Sequence, residues 1–450
     1  MRFPQLEQFL VQPKFFMQQR IYLSYRLVLT LFMLINALSA CQNGNNKDGA
    51  DADSATKPLQ TGIWRAVLNL DEEETDPQYM VELPFNFEVQ YQNGQCHISF
   101  INGEERIVAN EITFPNADSI VVKIPAFNSE IRGKINTKRI LGKWYNFDKG
   151  DNYQIPFYAI AGDSTRFFTP TTDSVIQVAG KWEVMFVDID KKYKIDAIGE
   201  FQQKGNQVTG TFITPTGDYR YLQGIATDHE VKLSCFDGAH AFLFVAGINN
   251  AGDLNGDVWY GKHGRETWMA FRNDTVSLWA NDHLSRAKSD KFAFSFPDLN
   301  GNIVSLNDER FKNKVVMLQI MGSWCPNCMD ETKLYSQLYQ RLKPHGLEIV
   351  ALAYERSTDL TTTKPILERY IKNLQVPYPI LLAGQADKEK ASATLPDLDA
   401  IKAYPTTIFI DRNQKVRRVH TGFSGPATSE YEPFVEELKS FLDQLLNEQS

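Results

Sequence analysis

Trp324-Cys325-Pro326-Asn327-Cys328 stands between a seven-residue apolar run, Val315-Val316-Met317-Leu318-Gln319-Ile320-Met321, and a stretch with helical spacing from Met329 to Leu342. A Cys-x-x-Cys at a strand-to-helix junction puts both sulfurs on the first helical turn. Unpaired backbone N–H groups and the helix macrodipole favour a thiolate there. With Cys325 as N-cap, Pro326 falls at the first helical position, where its missing N–H costs nothing. Cys325 is then expected to be the exposed, low-pKa nucleophile of a redox site. Cys328 lies one turn in, on the same side as Glu331, Leu334, Tyr335, Leu338 and Leu342. Their i, i+3, i+4 recurrence marks the face that packs on a sheet.

Glu331 therefore sits on an apolar stripe, where a carboxylate is costly unless it is protonated or hydrogen-bonded, and its pKa is expected to be raised. Disulfide exchange requires the second thiol to lose a proton as it attacks, and Glu331 is placed to carry it. The alternative is a carboxylate swivelled to solvent at the edge of the stripe. Cys-x-x-Cys also serves zinc, usually with four ligands. No second Cys pair lies in this half of the chain, and His345 and His420 lack ligand-like spacing. No metal or organic cofactor is expected.

From about Lys291 to Ser450, a third of the chain, the sequence resembles the thioredoxin fold. More closely, it resembles the membrane-anchored TlpA/ResA-type thiol-disulfide reductases, which overlap with the AhpC/TSA redoxins. The matching residues are the Trp-Cys-Pro-Asn-Cys motif, the acid three residues after its second cysteine (Glu331), and Tyr404-Pro405-Thr406-Thr407-Ile408-Phe409-Ile410-Asp411. The resemblance assigns Pro405 as the cis-proline facing the disulfide; sequence alone does not read the isomer, and a trans-proline in a loop is the other possibility. It implies catalytic roles for Cys325, Cys328 and Glu331, and substrate contacts at Trp324, Pro326, Tyr404, Pro405 and Thr406. It also implies re-reduction by a membrane electron donor and disulfide-bearing exported proteins as substrates, with apocytochromes as candidates. A thiol peroxidase of the AhpC/TSA type is the rival enzyme reading, but Met321-Gly322-Ser323-Trp324 precedes Cys325 in place of a peroxidase Pro-x-x-x-Thr-x-x.

At 450 residues the chain should hold two or three domains, and 43% hydrophobic content suffices for ordinary cores. A net charge of −8 without Lys/Arg clusters argues against nucleic acid as partner, and none is expected. Near the N-terminus, Arg20 and Arg26 precede the apolar run Leu27 to Ile35, too short to span a bilayer comfortably, and Leu38-Ser39-Ala40-Cys41 follows. This resembles a bacterial lipobox. We expect a signal peptide over 1–40, lipidation of Cys41, and a location in the cell envelope, lipid-anchored and facing the periplasm; an ordinary signal peptide with an incidental Cys is the alternative. Met17 is an alternative start. Residues 41–59, poor in apolar side chains, read as a flexible tether.

From about Thr61 to Asp282 short alternating runs are punctuated by turn dipeptides such as Asn93-Gly94 and Gly205-Asn206, the pattern of antiparallel hairpins. Gly62-Ile63-Trp64 recurs as Gly180-Lys181-Trp182, and Gly142-Lys143-Trp144-Tyr145 is echoed by Gly256-Asp257-Val258-Trp259-Tyr260. Two related β units, 60–172 and 173–285, are therefore expected, followed by a redox domain at 290–450. The fold class is multi-domain: an all-β region, then an α/β thioredoxin-fold domain. Cys96 and Cys235 could pair across the two units or stay buried and free, and His97, His240 and His263 read as structural. A second functional reading makes the β region a surface-binding module with an accessory redox domain. In the redox domain we expect a hairpin turning at Asn300-Gly301, a helix Pro326–Leu342, an extra helix 364–374, a buried strand 406–410 entered through Pro405 at the sheet's edge and paired with 416–421, and a closing helix 431–446.

Overall fold

A computed structural model describes residues 57–448, except 72, 73, 75, 77–79, 126, 151, 169–173, 189–193 and 279–283. The expected signal peptide, Cys41 and the tether up to residue 56 lie outside the described residues. The alternating N-terminal half forms two nine-stranded antiparallel sheets, and the class expected from the sequence, β units followed by an α/β redox domain, is borne out. In the first sheet Gly62–Asn69 lies between Glu82–Gln92 and the last strand, Gln154–Ala161. In the second, Gly180–Asp188 lies between Lys194–Lys204 and the last strand, Gly264–Arg272. Each sheet thus returns its last strand to its first. In the second sheet Lys194–Lys204 also pairs with Gln207–Thr214, which closes it into a barrel; such closure leaves no unpaired edge.

The repeated Gly-x-Trp performs the same task twice. Gly62 (φ 107°) and Gly180 (φ 111°) adopt positive φ, a conformation costly for residues with a Cβ, and start the first strand of each unit. Each following tryptophan is buried and donates its indole N–H four residues back, Trp64 to Gln60 O at 2.9 Å and Trp182 to Val178 O at 2.8 Å. A buried indole satisfied in this way fills the core of its unit without leaving an orphan donor.

The units are sewn together by polar and aromatic contacts. Phe236, on a second-unit strand, stacks on Phe85 of the first at 4.4 Å and meets Trp144 edge-on at 5.2 Å. Asn102 exchanges two hydrogen bonds with the Phe236 backbone, at 2.9 and 3.2 Å. Arg166, in the connection, is buried and donates to Ser234 O at 2.9 Å and to Ile101 O. Cys96 and Cys235 are both buried free thiols, so of the two expectations the unpaired one holds.

The redox domain is built on a five-stranded sheet whose strands are β1 (Val315–Met321), β2 (Leu347–Glu355), β3 (Ile380–Gln385), β4 (Thr406–Ile410) and β5 (Val416–Thr421), in the spatial order β3-β2-β1-β4-β5. β1 runs parallel to β2 and antiparallel to β4, and all seven of its residues are buried, as the apolar run requires of a strand covered on both faces. Helices α1 (Pro326–Leu342), α2 (Leu360–Leu374), α3 (Lys388–Ala393) and α4 (Tyr431–Asn447) complete it. The expected pairing of 406–410 with 416–421 is present, and with β1 on its other side it makes β4 an inner strand, so Pro405 does not stand at the sheet's edge. A second expectation also needs correction. The extra helix starts at Leu360, ahead of Pro365, because Asp359 caps it by accepting from Thr361 N at 3.0 Å. The sequence stripe shows only one side of α1, whereas the helix is buried on more: Asp330, Thr332 and Ser336 are also covered. One continuous apolar cluster runs from the first β unit through Cys325, Cys328 and Met329 into the redox domain.

Candidate functional site

Cys325 is the N-cap of α1, with extended backbone (φ −101°, ψ 112°), and its sulfur accepts the amide of Cys328 at 3.2 Å; Pro326 occupies the first turn. The two cysteines form a disulfide, with Cα atoms 5.2 Å apart. This is the cap geometry that the spacing predicts, and it aims backbone N–H groups at the Cys325 sulfur. Cys325 is nevertheless only 7% exposed and Cys328 is fully buried. The expectation of an exposed Cys325 is therefore wrong for this state, because the β region packs against the motif, as seen at Arg220 below.

Across from the disulfide the Tyr404–Pro405 peptide is cis, as assigned by resemblance, and Tyr404 O lies 3.6 Å from Cys325 Sγ. Pro405 O accepts Gly422 N at 2.8 Å, which ties this loop to the one after β5. Thr406 does not face the site: its side chain is fully buried and donates to Ala403 O at 2.9 Å. Its position as the first residue of a strand sandwiched by β1 and β5 turns it inward. Trp324 is held by a hydrogen bond from Nε1 to Tyr354 O (3.0 Å), an edge-on contact with Tyr404 (5.4 Å), and the Arg356 guanidinium 4.0 Å over its ring. The indole crosses so close to Gly322 that a Cβ there would lie 2.3 Å from Nε1. Only glycine fits.

Glu331 is fully buried, one turn after Cys328. Its carboxyl receives Gln319 Nε2 at 2.9 Å and Thr407 Oγ1 at 3.1 Å, and Tyr335 OH lies 2.9 Å away. Burial pushes its pKa up to about 7, and the hydrogen bonds oppose this without cancelling it. The swivelled, solvated carboxylate is not what the structure holds. A second buried carboxyl, Glu355 at the end of β2, accepts Ser323 N at 2.8 Å and Ser323 Oγ at 2.7 Å, and burial pushes it too up to about 7. It anchors the residue immediately before Trp324.

The fold thus brings together Cys325, Cys328, Glu331, Trp324, Pro326, Tyr404 and Pro405. Sequence reasoning missed Gln319, Thr407, Ser323, Glu355 and Arg220. Gln319 carried a signal, a lone amide inside an apolar central strand, where a buried polar group needs a partner. Arg220 carried none. It lies more than a hundred residues from the motif in sequence, yet its Nη1 donates to Pro326 O at 3.2 Å. Among the described residues no group of three or more His, Cys, Asp or Glu side chains is arranged to hold a metal ion.

Comparison with known proteins gives the following. Residues 289–419 match the AhpC/TSA family. The chain is 29% identical over 163 residues to thiol-disulfide oxidoreductase ResA of Halalkalibacterium halodurans, covering 36% of this chain and 83% of that protein. It is 31% identical over 136 residues to ResA of Bacillus subtilis strain 168, covering 30% and 66%. Against the curated relatives it matches, the chain spans between 62% and 83% of their length. Among solved structures, a thioredoxin-family thiol:disulfide interchange protein from Chlorobium tepidum TLS is similar at 20% identity, covering 36% of this chain and 98% of the other, with a TM-score of 0.28.

Proposed function

We propose that residues 289–419, which match the AhpC/TSA family, work as a TlpA/ResA-type redoxin domain and that the protein reduces disulfides of exported proteins through its dithiol. The observation that carries this reading is the pairing of a helix-capping disulfide, Cys325–Cys328, with a sheltered carboxyl, Glu331, whose pKa sits at about 7. Near neutral pH both forms of such a group are populated, so it can take a proton and return it.

In the reduced protein, the Cys325 thiolate attacks one sulfur of the substrate disulfide. The substrate S–S bond breaks, a mixed disulfide with Cys325 forms, and the departing thiolate takes up a proton. Cys328 then gives its thiol proton to the Glu331 carboxylate and attacks Cys325 Sγ. The mixed disulfide breaks, the second substrate thiol leaves, and the Cys325–Cys328 bond closes, two electrons having passed to the substrate. Trp324 and the Tyr404–Pro405 loop line the approach, where the backbone beside Cys325 suits pairing with an extended substrate segment. Pro326 fixes the first turn of α1. A membrane electron donor re-reduces the pair. Lipidation at Cys41 would hold the domains at the membrane, on the periplasmic side of the envelope.

Direction of electron flow is set by potential. Equilibrating the full chain with glutathione buffers should give a value near that of thioredoxin, about −270 mV; a value near the strongly oxidising end, about −120 mV, would make it a disulfide donor and overturn the reductase reading.

A further inference from the structure

The barrel of the second β unit sends one hairpin out of its wall to the redox motif. Thr214 pairs with Gly217 around the turn Pro215-Thr216, and Tyr219 then plugs the barrel, its ring 5.2 Å from Phe242 and 5.4 Å from Phe186. The residues on either side of Tyr219 point the other way. Asp218 accepts the amide of Gly425, in the loop after β5. Arg220 bonds Asp330 of α1, Glu105 of the first β unit and Pro326 O, with Asp237 of the second unit 3.6 Å away. One guanidinium, almost fully buried, therefore joins carboxylates from both β units to the redox helix.

The tip does more than touch. Gly217 makes a parallel β-bridge to Phe423, whose carbonyl also accepts Asn327 Nδ2 at 3.1 Å. The fit leaves no slack: a Cβ on Gly217 would lie 2.1 Å from Asn327 Nδ2, and one on Gly422 would lie 2.6 Å from Thr216 O. Both residues between the cysteines, Pro326 and Asn327, are thus engaged by the hairpin. A sulfur entering in line with the Cys325–Cys328 bond finds Cys325 only 7% exposed.

We propose that the hairpin Thr214–Tyr221 is an intramolecular occupant of the edge where a partner's main chain docks, held there by Arg220, and that a disulfide-bearing extended segment reaches Cys325 by replacing it at Phe423. This rests on the exchange reading above and names the kind of partner that fits: an unfolded or looped-out chain able to make a short parallel bridge with a small residue beside Asn327. A folded surface cannot enter where a two-residue strand now lies.

The first test reads Cys325 without any substrate, so a failed reductase reading leaves it intact. In the reduced full chain, iodoacetamide should modify Cys325 about tenfold or more faster in Arg220→Met than in the unaltered protein, with Arg220→Lys in between. Equal rates overturn the proposal. Should Arg220→Met not fold, hydrogen exchange decides. In Cys328→Ser protein carrying a cysteine peptide disulfide-linked to Cys325, amides of residues 214–221 and of Gly425 should exchange about tenfold faster than in the unlinked protein. Unchanged protection would mean the peptide is accommodated elsewhere and the hairpin is only structural.

Discussion

Glu331 shows how much one desolvated carboxyl can decide. Its three neighbours come from β1, β4 and its own helix, and without them burial would push it further still. Replacing it by Gln keeps the shape and one acceptor oxygen but removes the proton acceptor. Glu331→Gln should slow the resolving step about a hundredfold near pH 7, read as persistence of the mixed disulfide in quenched-flow samples, and should abolish the rate inflection near pH 7; an unchanged profile would remove Glu331 from proton transfer. The same shift bears on stability. The folded state holds this proton more tightly than the unfolded state, so the stabilising contribution is complete below pH 4.5 and is lost as pH rises to about 7, on the order of 3 kcal/mol. Urea unfolding at pH 5 and pH 8 should therefore show a smaller loss in Glu331→Gln than in the unaltered protein, and an equal loss would contradict the buried-carboxyl assignment. Glu355 shifts in the same direction, so a residual slope is expected in the single variant. Glu331 was legible in the sequence because i, i+3 spacing alone puts it behind Cys328. Its partners Gln319 and Thr407 were not, because strand order across the sheet decides who reaches it.

At the scale of elements, the two β units owe their independence to the twin Gly-x-Trp corners and their union to a few side chains. Phe236 is the clearest of these, a second-unit residue buried against Phe85, Phe100 and Trp144 of the first. Phe236→Ala should cost about 3–5 kcal/mol and split a shared thermal transition, since it removes apolar contact on both sides of the junction; calorimetry showing one unshifted transition would argue that Phe236 does not couple the units. Alternation and turn dipeptides made the β class and its duplication readable. They could not show that Lys194–Lys204 pairs with Gln207–Thr214 to close a barrel, since closure depends on partners far along the chain. The redox domain was more legible still: the apolar run, the cap and the helix face each sat where local chemistry required. The pairing of Thr406–Ile410 with Val416–Thr421 was readable too, because the polar turn Asp411-Arg412-Asn413-Gln414 separates two strand-like runs.

For the whole molecule, the arrangement of three bodies around one motif is what no local pattern disclosed. Arg220, Asp330, Glu105 and Asp237 are scattered over more than two hundred residues, and nothing in their immediate surroundings marks them as partners. Their convergence is why Cys325, expected in solvent, lies under cover, and why Asp330 is buried. Exchange with a protein disulfide must therefore combine chemistry at the sulfurs with movement of what lies over them. Single-turnover mixing of the reduced full chain with an exported protein carrying one disulfide examines that chemistry head on. Two substrate thiols should appear for each Cys325–Cys328 bond formed, Cys328→Ser should stop at a mixed disulfide mapped by mass spectrometry to Cys325, and Cys325→Ser should release nothing. Thiol release persisting in Cys325→Ser, or an adduct found on Cys328, would contradict it.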